Sequence, residues 1–349
     1  MRFILALFAL LLLTAIAAGV GLVFLDRHNN VPGPLAAQTV VFIAPGTGVR
    51  EMADQLMNAQ VIDNQYPFLA NVVLRGIKGK LQAGEYEFAP NVPLNEVLRK
   101  MSTGDVLRRM VTIPEGLSSF EVAAIINAAP EMTGTVQPPA EGSVLPETYS
   151  YLRGDDRNKM LAQMQAAMTK TIDQLWETRQ PDLPFQTKEE ALTLASIVEK
   201  ETRIAPERAR VAGVYINRLN KGMMLQSDPT VIYALTKGQS KIDRVLYAHL
   251  ETDSPYNTYK YNKLPPGPIA NPGRASIAAV LQPEKTDFLY FVADGTGAHI
   301  FATNATDHEA NVIKWRGIQR AARAQSTLSQ RERAGGEGPS PAPAKDPSP

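Results

Sequence analysis

The sequence predicts an α+β protein: an N-terminal transmembrane helix, a small module, then a larger mixed α/β domain. Three observations carry this. Residues Phe3 to Leu25 hold no charge, and as a helix they reach about 35 Å, enough for a hydrocarbon core of about 30 Å. From Val40 to Met101 the apolar pattern passes from strand alternation to helical spacing and back. From Val106 to Ala324 strands and helices continue in mixed order. The expected boundaries are 1–28 for the anchor, 29–38 for a linker, 39–104 for the module, 105–324 for the large domain and 325–349 for a disordered tail.

Arg2 precedes the apolar run and Asp26, Arg27 and His28 follow it; no later run approaches its length. Ala15-Ile16-Ala17 has the form of a signal-peptide cleavage site. Apolar character continues past it to Leu25, which favours a retained single-pass anchor with the bulk of the chain outside the cytoplasm. Pro32 and Pro34 mark the linker. Val40–Ile43 reads as a strand stopped by Pro45-Gly46-Thr47-Gly48. Met52, Ala53, Leu56 and Met57 give a helix, Phe68 to Leu74 a second, Leu81 to Phe88 an alternating strand, and Val97, Leu98 and Met101 a third helix. Strand, two helices and strand is the element order of a small LysM-like module; a generic α/β cap without a ligand is the competing reading.

Composition excludes several function classes. Lys+Arg number 36 and Asp+Glu 35, a net charge of +1, so there is no basic footprint for nucleic acid. Cysteine is absent and histidines are four, which removes disulfides, thiolate metal sites and thiol nucleophiles and disfavours a His-rich metal site. No cofactor and no metal are expected.

In the large domain, Val106–Pro114 reads as a strand, Glu115–Ala128 as a helix and residues 130–141 as a loop. Asp155–Thr178 is a helix whose Met160, Met164 and Met168 stripe suits packing better than a cofactor. Thr187-Lys188-Glu189-Glu190 is a capping box opening a helix to about Arg203. At about 100° per residue, Leu194, Ile197, Val198 and Glu201 share an arc of about 100°, with Glu199 roughly opposite. A carboxyl among apolar neighbours resists ionisation and suits a general acid. Glu199 is expected as a surface charge or the partner of a downstream basic residue. Pro206 opens the next helix, with Val211, Val214, Tyr215, Arg218 and Leu219 on one side and Gly222 closing it. Asp228 is expected to cap the short helix from Pro229. Ser254–Tyr259 and Leu264–Ile269 are rigid loops whose tyrosines and amides suit a sugar cleft. A hairpin over 288–303 follows, turning at Asp294-Gly295-Thr296-Gly297, then a helix opened by Thr306-Asp307-His308-Glu309. The Pro-rich tail from Gln325 lacks the apolar residues to order itself.

Read together, these strings resemble the MltG (YceG-like) family of endolytic murein transglycosylases. The matching strings run Ala195–Thr202, Val214–Leu219, Leu225–Tyr233, Tyr256–Tyr259, Leu264–Ile269 and Leu289–Ala293, in the family's order. The resemblance covers about Met1 to Ala324, apart from the loop around Ala129–Glu141. It implies an inner-membrane envelope enzyme that cuts nascent glycan strands internally and so terminates their elongation. The bond would be that from N-acetylmuramic acid to N-acetylglucosamine, cleaved without water to leave 1,6-anhydromuramyl ends. It implies peptidoglycan strands as substrate, peptidoglycan synthases as candidate partners, Glu201 as the catalytic residue, and Gln226, Ser227, Asp228, Asn257 and Tyr259 along the cleft. A hydrolytic muramidase using Glu201 with Asp228 or Glu199, and a glycan-binding scaffold without turnover, are the alternatives.

Overall fold

The chain mixes helix and strand throughout, in a computed structural model that describes residues 2–335 apart from position 243. Two compact units emerge: Met1–Val111 with Ala129–Thr135 and Thr148–Met160, and Thr112–Ala128 with Val136–Glu147 and the chain from Leu161.

The first unit opens with α1 (Arg2–Asn30), whose described large apolar side chains from Ile4 to Val23 are exposed. It is long and apolar enough to cross a membrane, and Arg27 and His28 complement the negative end of its dipole. The helix continues past residue 28 into the stretch expected as linker. The cause is a partner distant in sequence: the Asn29 side chain is buried and pairs with Asn71 in both directions, at 3.0 and 2.7 Å. Next come β1 (Thr39–Ile43), α2 (Val49–Asn58), α3 (Gln65–Leu74), β2 (Gly84–Phe88) and α4 (Leu94–Thr103). β1 and β2 pair antiparallel, Thr39 opposite Phe88 and Ile43 opposite Gly84. The register turns Val41, Ile43, Tyr86 and Phe88 into one core with Leu56, Phe68, Leu98 and Met101. Gly84 is required where it is: its φ is +151° and a Cβ would meet Val106 Cγ1 at 2.5 Å. The expected strand over 106–114 is reduced to β3 (Arg109–Thr112), paired with β4 (Thr148–Tyr151), a strand the sequence pattern does not announce. Buried Glu85 is neutralised by Arg109 and by Arg153, and those guanidinium groups hold its carboxyl below the usual range.

The second unit is mainly helical: α5 (Ser119–Ala128), most of α6 (Arg157–Glu177), α7 (Lys188–Glu201), α8 (Arg208–Asn220), α9 (Asp228–Thr236), α10 (Tyr247–Leu250) and α11 (Arg274–Leu281). The hairpin of β5 (Tyr290–Ala293) and β6 (His299–Ala302) and the long α12 (Ala305–Gly335) complete it. Leu194, Ile197 and Val198 of α7, Val211 and Tyr215 of α8, and Ile277, Val280 and Leu281 of α11 form its core, with Met168 of α6 packed in. The methionine stripe is therefore packing. α5 begins at Ser119 rather than Glu115. α12 is capped by Asn304, whose Oδ1 accepts from the Asp307 N–H at 2.9 Å, in place of the expected Thr306. It continues past Gln325, where the tail was expected to start; residues 336–349 of that tail lie outside the described residues.

Candidate active site

The site is built on the last turn of α7. The expected capping box is present: Thr187 Oγ1 accepts from the Glu190 N–H at 3.1 Å, and Glu190 Oε2 accepts from the Thr187 N–H at 3.1 Å. With its start satisfied, the helix runs through a continuous buried stretch, Thr193 to Glu199. Glu201 is its final residue and is half-buried. That is the negative end of the helix dipole, where a carboxylate is disfavoured.

Two hydroxyls converge on this carboxyl. Tyr215 Oη, from α8, donates to Glu201 Oε1 at 2.8 Å, and Ser227 Oγ donates to the same oxygen at 2.5 Å. No described residue donates to Oε2. Burial pushes the Glu201 carboxyl up; the two hydroxyls pull it back; Asp228 raises it and His299 lowers it. The net direction is upward. With Oε1 filled by two donors, the acidic proton belongs on Oε2. Burial and the Glu201 carboxylate likewise push the Tyr215 phenol well up, so it remains a donor.

Ser227 is held by a small polar knot. Its N–H donates to Thr258 Oγ1 at 3.0 Å, its carbonyl accepts from Thr230 Oγ1 at 2.6 Å, and the two threonine hydroxyls are 2.8 Å apart. All three residues are at most 1% exposed. Gln226 sits just before, at φ +52°, with its N–H bonded to the Thr258 carbonyl at 3.1 Å. This left-handed turn is uncommon for a residue with a side chain. It separates buried Leu225 and Ser227 from an exposed Gln226 side chain.

Asp228 does not cap α9 as expected. Ser227 is the N-cap, no side chain caps the helix, and Asp228 is its first residue. The reason is a better donor: Tyr259 Oη bonds Asp228 Oδ1 at 2.6 Å. Burial and that carboxylate push the Tyr259 phenol up. Asn257 is fully buried, and its amide donates to the carbonyls of Leu250 and Thr252, both at 2.8 Å, while Oδ1 accepts from the Tyr259 N–H at 3.0 Å. It shapes the loop that presents Tyr259. Of the expected cleft residues, Ser227 thus touches Glu201 directly, Asp228 and Tyr259 form a pair whose charge reaches it, Gln226 faces solvent, and Asn257 positions.

Glu199 is not a surface charge. It is 7% exposed, accepts from the Gly273 N–H at 2.9 Å and pairs with Arg208 at 3.5 Å. The partner expectation holds and the exposure expectation fails, because α7 is covered on both sides: the face opposite the apolar stripe packs too. Burial and Glu199 push the neighbouring Glu115 carboxyl up, and both acids pair with Arg208, Glu199 from a buried position and Glu115 from an exposed one.

Two residues of the site escaped the sequence reading. Tyr215 lay within a recognised string but was counted as stripe; the available signal was a phenol on an apolar face, which requires a partner when buried. Arg218 is 7% exposed and faces no carboxylate among the described residues. Its Nε donates to the Leu289 carbonyl and its Nη1 to the Leu225 carbonyl, both at 2.7 Å, with Tyr290's ring 5.2 Å away. It ties the segment before Ser227 to β5.

Replacing Ser227 by alanine removes a charge-assisted donor from Glu201. Such a bond favours the carboxylate, so its loss raises the Glu201 pKa further. Turnover should fall by about tenfold or more, the equivalent of a bond of about 1.5 kcal/mol, and the alkaline limb of the rate profile should move to higher pH. A limb that moves down would contradict the donor role.

The YceG-like family's sequence profile matches residues 41–314. The endolytic murein transglycosylase of Bacillus subtilis (strain 168) is 33% identical over 300 residues, which is 76% of this chain and 81% of that protein. The endolytic murein transglycosylase of Streptococcus pneumoniae serotype 2 (strain D39) is 28% identical over 321 residues, covering 78% of this chain and 58% of that longer protein. The crystal structure of a yceG-like protein from Listeria monocytogenes superposes with a TM-score of 0.50 at 30% identity, over 78% of this chain and 98% of that one.

Proposed function

This chain belongs to the YceG-like family, and from that premise we infer that it is an endolytic murein transglycosylase, a lytic enzyme acting on peptidoglycan, with Glu201 as its acid and base. One observation carries the residue assignment: a carboxyl with raised affinity for its proton, one oxygen held by Ser227 and Tyr215 and the other unbonded.

Protonated Oε2 donates to the glycosidic oxygen between N-acetylmuramic acid and N-acetylglucosamine. The C1–O bond breaks and its electron pair stays with the leaving oxygen. Glu201 is now a carboxylate, stabilised on Oε1 by two hydroxyl donors in place. It takes the proton of the muramyl C6 hydroxyl, whose oxygen closes on C1. The nucleophile is intramolecular and enjoys a high effective molarity; no water enters the balance, and the acid is restored for the next cut. Exposed Gln226 and the Asp228–Tyr259 pair are placed to bond sugar hydroxyls. Because the first step needs the protonated acid, activity falls as pH rises through the raised pKa.

The same reading places α1 as a retained single-pass anchor with the second unit outside the cytoplasm, where nascent strands emerge, and the first unit as a LysM-like glycan-binding module. The antiparallel β1–β2 pair with α2 and α3 between them supports the latter.

Digestion of purified glycan strands in ¹⁸O-labelled water tests the reaction. The expected products are 1,6-anhydromuramyl ends free of label and about 18 Da lighter per cut than hydrolysis products, from the stoichiometry of ring closure. Label at the new muramyl ends would make the protein a hydrolase, with Asp228 the available second carboxylate.

A further inference from the structure

α3 is apolar on two sides. Phe68 and Val72 are buried in the first unit's core, whereas Tyr66, Val73 and Leu74 are 72%, 78% and 60% exposed. At helical spacing these three lie within an arc of about 100°. A helix on the surface of a water-soluble domain carries polar residues on that face; α3 has no charged residue from Gln65 to Leu74. The chain then leaves it through Arg75, Lys78 and Lys80, all exposed. An apolar stripe bordered by cations, with an aromatic ring at its edge, is the composition of a helix lying in the plane of a membrane interface. At the other end of α3, the preceding acid Asp63 is 3.6 Å from His28.

The position of α3 argues the same. It docks against the C-terminal end of α1 through the reciprocal Asn29–Asn71 amide pair, both side chains buried. The next residue of α1, Asn30, accepts from Asn95 Nδ2 of α4 at 2.6 Å. The uncharged run ends at Leu25, so Asn29 stands only about 6 Å further along the helix axis. The headgroup layer on each side of a hydrocarbon core is about 5–8 Å thick. α3 is therefore held at headgroup height by a direct contact rather than by a flexible linker.

We propose that the outer face of α3, with Tyr66, Val73 and Leu74 inserted and Arg75, Lys78 and Lys80 on anionic phospholipid, rests in the headgroup layer of the bilayer that α1 crosses. This rests on the reading of α1 as a retained anchor. The surface sets the height and orientation of the first unit on the membrane.

The absence of native cysteine allows a direct test on the full chain. Val73→Cys and Leu12→Cys, each carrying a single nitroxide label, are reconstituted in nanodiscs of phosphatidylcholine with phosphatidylglycerol. Accessibility to oxygen against a water-soluble nickel chelate then reads depth. The label at position 12 is expected in the hydrocarbon and that at 73 in the headgroup layer. Adding Arg75→Glu, Lys78→Glu and Lys80→Glu should move the label at 73 outward by about 5 Å or more. A label at 73 fully open to the nickel chelate, with position 12 in hydrocarbon, overturns the surface and leaves the anchor standing. Position 12 in water overturns both. An unchanged depth on charge reversal overturns the assignment to anionic lipid.

Discussion

Glu201→Gln is expected to lose at least about 10² in turnover. The amide keeps the shape of the side chain, and its oxygen still accepts from Ser227 and Tyr215 in the place of Oε1. What disappears is the transferable proton on the other atom, so both the donation to the leaving oxygen and the later abstraction from the C6 hydroxyl fail together. Stability should change in the opposite sense. A carboxyl whose folded pKa is raised binds more protons folded than unfolded, so its contribution is full below the unfolded pKa and is lost as pH rises through the folded one. The glutamine variant escapes that loss. Its thermal midpoint relative to the parent should therefore rise as pH increases, while the two converge under acid. Glu199→Gln separates the neighbouring acid: it breaks the buried contact with Arg208 and should lower stability more than turnover per folded molecule. An inactive but stable Glu199→Gln beside an active Glu201→Gln would reverse the assignment.

Arg218→Met should destabilise the second unit by on the order of 3 kcal/mol, because two short bonds from a charged donor are lost, leaving a buried carbonyl at Leu225 and a part-buried one at Leu289 without this donor. Lysine should rescue little: its single ammonium cannot span the carbonyls of Leu289 and Leu225 as the planar guanidinium does. The fall in thermal midpoint should be accompanied by lower activity even well below the transition, since the segment leading to Ser227 loses its tether to β5. A Lys variant with the parent's midpoint would show that charge alone, and not the fork, holds this corner.

Apolar spacing and caps made most elements readable. The Thr187 capping box, the α6 methionine stripe and the β5–β6 hairpin follow from contacts within a few residues, and the structure keeps them. Elements whose ends depend on distant partners shifted. Asn29 extends α1 because Asn71 receives it; Asp228 leaves its capping role because Tyr259 offers a hydroxyl; β4 exists because β3 lies beside it. For the site, the helical wheel separated Glu201 from Glu199, but it assumed that the face opposite an apolar stripe meets water. In α7 that face meets Gly273 and Arg208, so burial alone does not distinguish the two acids. Sequence by itself determined which carboxyls were available, the strings that join this chain to its family, and an N-terminal segment long and apolar enough to cross a membrane. Only the tertiary structure decided what surrounds each acid, and so why the Glu201 carboxyl is pushed up. Glu199 lies beside an arginine and a backbone N–H, whereas Glu201 meets two neutral hydroxyls brought from residues 215 and 227. The charge state of a buried carboxyl is set by the nearest donors, and those are neighbours in space that periodicity along the chain does not encode.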